Sequence, residues 1–308
     1  MTAPIALFVY NRPEHTKKTI EALQKNDLAT ESNLYIFSDA AKNQEATVQV
    51  QAVREYIASI NGFKSVTIIN RNCNLGLADS IVDGVTQLCN SHEKVIVLED
   101  DIITSKGFLS FMNTALSLYA KDQRVMHISG YMFHVKEPDE LPETFFYRVP
   151  SCWGWATWKR AWEHFEPDAT NLLDRINTSK KNYDFDIENS YAYSEMLQMQ
   201  ASGKLNSWAI RWYASVFLNN GLCLHPNKSF TNNIGMDGSG THCGTSNSYE
   251  ILDLKEDSSI NAKLNLEENQ IALQKIKNFN KSKLPHFYRR FVRKILKIAK
   301  NTVKRLNI

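Results

Sequence analysis

Three adjacent carboxylates, Glu99-Asp100-Asp101, follow directly on the apolar run Val95-Ile96-Val97-Leu98. A buried strand that ends on such a triplet sets at least two acidic groups side by side, and a cation such as Mg²⁺ or Mn²⁺ best relieves their repulsion. The same residues can instead form a solvated acidic turn that caps the next helix. Three other strand ends bear on the choice. Asn11-Arg12 closes the run Ile5 to Tyr10, Ser38-Asp39 follows Leu34 to Phe37, and Asn70-Arg71 follows Val66 to Ile69. Arg12, before Pro13 at a helix start, either adds its charge to the positive helix end to bind a phosphate or is a plain surface residue. Asp39 either accepts hydrogen bonds from a base or ribose or caps its own turn. Arg71 with Asn74-Leu75-Gly76 makes a polar loop that opens a helix, suited to a diphosphate or to simple capping. No Gly-x-Gly-x-x-Gly and no Gly-x-x-x-x-Gly-Lys-Ser/Thr occurs, which disfavours a dinucleotide enzyme and a P-loop phosphotransferase.

The elements that must position these groups are legible in the apolar periodicity. Five short apolar runs, Ile5 to Tyr10, Leu34 to Phe37, Val66 to Ile69, Val95 to Leu98 and Val125 to Ile128, alternate with helical patterns at 13–26, 44–60, 76–90 and 106–120. Strands alternating with helices give an α/β fold, a parallel sheet covered on both faces, and such sheets place ligands at the carboxyl ends of their strands. Four separate strands thus bring polar or charged groups to one edge.

With 308 residues, 43% of them hydrophobic, the chain can bury one large or two fused cores. Five cysteines without a Cys-x-x-Cys pair signal neither a disulfide framework nor a structural zinc site, and a reducing cytoplasm is the expected compartment. The start, Met1-Thr2-Ala3-Pro4, has no basic region or long apolar stretch of a secretory signal, and no later run has the length to span a bilayer.

The charge is unevenly placed. Ten basic and no acidic residues fall beyond position 280, so a chain of net charge +3 has a body of net charge −7. In the tail Tyr288, Val292, Ile295, Ala299, Val303 and Leu306 share one helical face, and Arg290, Arg293, Lys294, Lys297, Lys300 and Lys304 the other. That pattern suits a helix lying on an anionic membrane surface, at about 1 kcal/mol per basic residue. A solvated helix packed on the body is the other reading; nucleic acid has little else to support it.

Four of the six tryptophans, Trp153, Trp155, Trp158 and Trp162, lie within ten residues. Sugar rings stack their C–H faces on aromatic planes, so the cluster reads as a carbohydrate platform or as core. Trp153 and Trp155, flanking Gly154 in a turn, suit the platform; Trp158 and Trp162, on one helical face, suit core.

The series Phe8-Val9-Tyr10-Asn11-Arg12-Pro13, Phe37-Ser38-Asp39, Asn74-Leu75-Gly76-Leu77 and Leu98-Glu99-Asp100-Asp101, in this order and spacing, resembles a GT-A-fold glycosyltransferase. The pattern continues through Ser151-Cys152-Trp153-Gly154-Trp155-Ala156-Thr157-Trp158, Ser207-Trp208-Ala209-Ile210-Arg211-Trp212 and the segment from Asn233 to His242. Over residues 4 to 245 it is similar to bacterial family 2-like sugar transferases of the haemolytic-protein-like kind, and more distantly to the N-acetylglucosaminyltransferase I group.

This resemblance implies a GT-A fold, a Rossmann-like nucleotide-binding mixed sheet with helices on both faces, plus a C-terminal amphipathic helix. It implies one domain over 1–280, with a nucleotide-sugar half (1–130) and an acceptor half (131–250), and a basic tail over 281–308. Asp101 would bind the metal, with Glu99 and Asp100 on the sugar-nucleotide side. Asn11, Arg12, Asp39, Arg71, Asn74 and Gly76 would hold the donor, Arg12 at the diphosphate and Asp39 at the base. Trp153, Trp155, Trp208, Arg211, Gly238, Gly240 and His242 would serve the acceptor side and a loop that orders over the donor. The implied cofactor is a divalent metal, Mn²⁺ or Mg²⁺. The implied partners are a nucleotide-sugar donor, a saccharide or lipid-linked saccharide acceptor and, through the tail, the inner face of the cell membrane.

One departure matters. Where the N-acetylglucosaminyltransferase I group carries aspartates after the tryptophan matching Trp208, one of them the base, this chain has Ala209 and Ile210. Glu195 is the first candidate for the base, with Asp237 and His242 behind it; Glu195 can equally be a solvated helix residue. A sugar nucleotidyltransferase and a non-catalytic carbohydrate-binding, membrane-associated protein are the alternatives. The first would normally show a Gly-rich loop with Arg and Lys after the first strand, where this chain has Tyr10-Asn11-Arg12-Pro13.

Overall fold

The computed structural model describes residues 1–238, 253–260 and 263–283. Ten strands form within them: β1 (Ile5–Val9), β2 (Asn33–Ser38), β3 (Ser65–Asn70), β4 (Lys94–Glu99), β5 (Ile102–Thr104), β6 (Val125–Ser129), β7 (Thr144–Tyr147), β8 (Trp155–Trp158), β9 (Leu222–Pro226) and β10 (Thr231–Asn233). The helices are α1 (Pro13–Gln24), α2 (Thr47–Ala58), α3 (Leu77–His92), α4 (Phe108–Leu118), α5 (Lys159–Trp162), α6 (Ala169–Ser179), α7 (Asn182–Phe185), α8 (Tyr193–Ala201), α9 (Trp208–Leu218) and α10 (Gln270–Lys283).

Eight strands form one sheet in the order β3-β2-β1-β4-β8-β6-β9-β7, which sets β4 and its acidic end near the middle. Every residue of β1 is buried, as are Val95 to Leu98 of β4, so both faces are covered, as their unbroken apolar runs require. β3, at the edge, is only partly buried. The parallel pairings hold Phe8 opposite Glu99, Val9 opposite Ser38, and Ser38 opposite Asn70. That register lines up the ends of four strands, so the residues just beyond them share one edge.

All five strands expected from the sequence form, and so do the four expected helices, with α3 running two residues past its expected end. The strands expected to be parallel, β1 to β4, pair so, while β8 inserts antiparallel between β4 and β6 and β7 closes the far edge antiparallel to β9. The sheet is therefore mixed, with helices packed on it, the α/β architecture expected of a GT-A fold. A second buried cluster, including Leu172, Ile176, Phe185, Leu197, Tyr213 and Ile276, joins β7 to α6, α7, α8, α9 and α10.

Beyond the acidic turn, β5 pairs with β10 in a two-stranded antiparallel ribbon that returns the chain to the sheet edge. Among the described residues no helix is long and apolar enough to cross a membrane. The expected amphipathic helix of the tail lies outside the described residues, as do Gly240 and His242.

Candidate functional site

The acidic turn is fixed from two sides. The Thr19 hydroxyl of α1 donates to the Asp100 carbonyl at 2.8 Å, and the Ile234 N–H, just past β10, donates to the Asp101 carbonyl at 2.9 Å. Asp100 and Asp101 are both buried. Arg12 supplies the opposite charge: its Nη2 pairs with Asp100 Oδ1 and, at 2.8 Å, with Asp101 Oδ2. Burial opposes the Arg12 charge, but attraction to the two aspartates outweighs it and moves its pKa further up.

One guanidinium does not balance three carboxylates. Burial, then repulsion from Asp101 and Asp100, raises the Glu99 pKa to about 8; burial raises Asp100 to about 6 against the pull of Arg12. Two buried atoms in this corner have no hydrogen-bond partner, the acceptor Asp101 Oδ1 and the donor Arg12 Nη1. An orphaned carboxylate oxygen in a site short of positive charge fits a hard divalent cation. Among the described residues no three His, Cys, Asp or Glu side chains converge on one metal position. The donor set therefore suits a cation that takes its remaining ligands from water and a bound phosphate, as Mg²⁺ commonly does.

The segment after β10 lies directly on this corner. A Cβ at Gly235 would sit 2.1 Å from Asp101 Oδ2 and 2.8 Å from Arg12 Nη1, so only glycine permits this approach. The Gly235 N–H donates to Asn233 Oδ1 at 2.8 Å. Two residues on, Asp237 Oδ2 lies 3.1 Å from Nε2 of His15, in the first turn of α1. Asp237 is thus tied to the first turn of α1. Gly238 ends the described part of this segment.

Along the same edge, Asp39 holds the loop that opens α3. Its Oδ1 accepts from the Ala40 and Leu75 N–H groups at 2.9 and 3.0 Å, and its Oδ2 from the Gly76 N–H and Asn74 Nδ2 at 2.9 and 3.1 Å. Four donors fill its acceptor positions, so a base contact through Asp39 would require the loop to give one up. Gly76, at φ +75°, turns the chain into the helix, as a residue without Cβ does readily. Arg71 pairs with Asp83 at 2.8 Å, and its guanidinium lies 5.5 Å from the centre of the Phe37 ring. Asn11 sits beside Arg12 where β1 ends.

The tryptophan cluster divides differently from the expectation. Trp155 belongs to β8 and is fully buried, stacked between His127 at 5.2 Å and Trp208 at 5.0 Å. Of the pair expected to form a platform, Trp155 has its ring enclosed in core, as do Trp208, expected on the acceptor side, and Trp158 and Trp162. Trp153 is half-buried, meets Tyr131 edge-on at 4.5 Å, and accepts the Thr231 hydroxyl on its carbonyl at 2.7 Å, which sets it beside the β5–β10 ribbon.

Glu195 and Arg211 stand apart from the triplet's contacts. Glu195 lines a cavity of about 330 Å³ with Tyr191, Met196, Met199, Asn280 and Lys283. Arg211 is buried against Ser207 and Phe165, and burial lowers its pKa.

Sequence reading missed Thr19, His15 and Arg54. The i, i+4 spacing of His15 and Thr19 on α1 was the available signal for a helix face turned toward the triplet. Arg54 cross-links the strand ends, donating to the Arg71 carbonyl at 2.8 Å and to Ser38 and Asp39 at 3.3–3.4 Å, and no local pattern marks it.

No protein-family model and no curated protein sequence matches the chain. Among solved structures it is similar to the mannosyltransferase PcManGT from Pyrobaculum calidifontis in complex with GDP-Man and Mn²⁺, at 11% identity and a TM-score of 0.40, over 71% of this chain and 70% of that one. S. aureus TarS matches at 15% identity and a TM-score of 0.40 over 74% of this chain and 36% of that chain. An active-site mutant of LgtC matches at 10% identity and a TM-score of 0.34, over 56% and 64% of the two chains.

Proposed function

We propose that this chain is a GT-A-type glycosyltransferase that moves a sugar from a nucleotide-diphosphate sugar, with UDP-sugars the first to test, to a hydroxyl of a saccharide acceptor. The observation that carries the reading is the meeting, at one sheet edge, of the buried acidic turn with its unpartnered Asp101 oxygen, the Arg12 guanidinium and the loop opening α3. Residues 1–130 supply the donor half, and 131–250 the acceptor half.

In this reading Asp101 holds a divalent cation, Mn²⁺ or Mg²⁺. When bound, that cation supplies the positive charge that stabilises a departing nucleoside diphosphate. Arg12 faces the diphosphate. Asp39 positions the Asn74-Leu75-Gly76 loop, whose place at the start of α3 favours an anion. Trp153, half-buried beside the β5–β10 ribbon, is the aromatic side chain assigned to a sugar ring. The C–O bond to the diphosphate breaks as the acceptor oxygen bonds the anomeric carbon from the opposite side, with inversion, and the acceptor proton passes to a carboxylate. Asp237, paired with His15 on the helix that also holds Thr19 against Asp100, suits that role better than Glu195 in its separate cavity. The basic tail brings the enzyme to the inner face of an anionic membrane, which suits a lipid-linked saccharide of surface polysaccharide or lipopolysaccharide synthesis.

Incubation with a panel of sugar nucleotides, with and without Mn²⁺, tests the proposal. Metal-dependent release of the nucleoside diphosphate, lost in Asp101→Asn, is expected. Release of pyrophosphate from a nucleoside triphosphate supplied with a sugar 1-phosphate would point to a nucleotidyltransferase; no turnover and no thermal stabilisation by any sugar nucleotide would leave a binding protein.

A further inference from the structure

We propose that Arg12 is a positioning residue that fills the cation place of the acidic turn until a diphosphate arrives, making divalent-metal binding at Asp101 conditional on the nucleotide. The inference rests on the function proposed above and concerns the control of its site.

Arg12 Nη2 lies between Asp100 and Asp101, at 2.8 Å from Asp101 Oδ2 and paired with Asp100 Oδ1. A divalent cation entering alone would meet a buried positive charge already held by both carboxylates. The two unpartnered atoms of the corner are of opposite kind, an acceptor on Asp101 and a donor on Arg12. A metal alone would satisfy only the acceptor, and would set its charge against Arg12. A diphosphate alone would satisfy only the donor, and would set its charge against Asp101. A metal–diphosphate pair presents a cation and an anion side by side and satisfies both, releasing Arg12 from the aspartates to the phosphate. Gly235 tightens the arrangement, because its backbone lies against both Asp101 Oδ2 and Arg12 Nη1 and leaves little space for a cation that does not displace Arg12.

Mn²⁺ binding followed by the electron paramagnetic resonance signal of the free ion, with and without UDP, tests this in the wild type, Arg12→Gln and Arg12→Lys. The wild type is expected to bind Mn²⁺ weakly alone and at least tenfold more tightly with UDP. Arg12→Gln, which keeps a hydrogen-bonding side chain without the charge, is expected to bind Mn²⁺ alone at least tenfold more tightly than the wild type and to gain less than threefold from UDP. Arg12→Lys, which retains a cation, is expected to bind Mn²⁺ alone as weakly as the wild type. Equal wild-type Mn²⁺ affinity with and without UDP, where UDP itself binds, overturns the inference and leaves the transferase reading standing. So does an Arg12→Lys variant that binds Mn²⁺ alone as tightly as Arg12→Gln. Absence of both Mn²⁺ and UDP binding in all three proteins overturns the function on which the inference rests.

Discussion

Gly235→Ala probes the corner with a single methyl group. In the native backbone that methyl would lie 2.1 Å from Asp101 Oδ2 and 2.8 Å from Asp101 Cγ and Arg12 Nη1, so either the carboxylate or the Ile234-Gly235 backbone must shift by about 1.4 Å to regain ordinary contact near 3.5 Å. Overpacking of this kind costs about 1–3 kcal/mol, and each kcal/mol lowers the melting temperature of a chain this size by about 2–4 °C. Whichever group moves, Asp101 no longer meets its ligand as before, and a loss of at least tenfold in donor turnover, about 1.4 kcal/mol of transition-state stabilisation, is expected. Thermal melts combined with a nucleoside-diphosphate release assay measure both effects. Gly203→Ala is the control: Gly203 has φ +70° and nothing within 4 Å of an added Cβ, so strain alone acts, with turnover unchanged. A Gly235→Ala protein with wild-type melting and wild-type turnover would show that the segment after β10 does not lie on Asp101, and would remove it from the site.

Three further outcomes are expected. Asp39→Ala removes the acceptor of three backbone N–H groups and Asn74 Nδ2, leaving part-buried donors, each costing at most about 1–3 kcal/mol. It should lower the melting temperature by several degrees even without ligand; an unchanged melt would free Asp39 for base recognition. His225 is buried, and burial lowers its pKa from 6.5 to about 4, so the unfolded chain takes up a proton below pH 6.5 that the folded chain refuses until about pH 4. The contribution of His225 to stability should therefore fall by about 3 kcal/mol as pH drops from 6.5 to 4, read as a change of that size in the stability difference between wild type and His225→Gln; a difference that does not change with pH would contradict this. Deleting residues 285–308 should release the protein from anionic vesicles while leaving turnover on a soluble acceptor intact, and vesicle binding by the truncated chain would place the contact elsewhere.

Much of the donor-side architecture was legible because it is local. Unbroken apolar runs marked β1, β2 and β4, and their polar ends could be read without knowing the fold. The middle of the sheet was not legible. β8 is only Trp155-Ala156-Thr157-Trp158, too short for either periodicity to repeat distinctly, and its position between β4 and β6 depends on pairing with strands about 60 and 30 residues away in sequence. For the same reason Trp155 read as a turn residue with a free face, although its ring closes the core. Asp39 illustrates the other limit: the residue type and strand-end position are visible in the sequence, but the donors that fill its carboxylate come from a loop some 35 residues on. The acidic triplet was readable as a charge problem; its partial solution by Arg12, about 88 residues earlier, was readable only from the register that levels the two strand ends.

Anomalous diffraction at the manganese edge, from crystals soaked in Mn²⁺ and UDP, tests the central claim most directly. A manganese peak coordinated by Asp101, with the diphosphate bridging from it toward Arg12, is the predicted result. A fully occupied UDP bound elsewhere on the protein, with no manganese at the acidic turn and Arg12 still paired to Asp100 and Asp101, would contradict it.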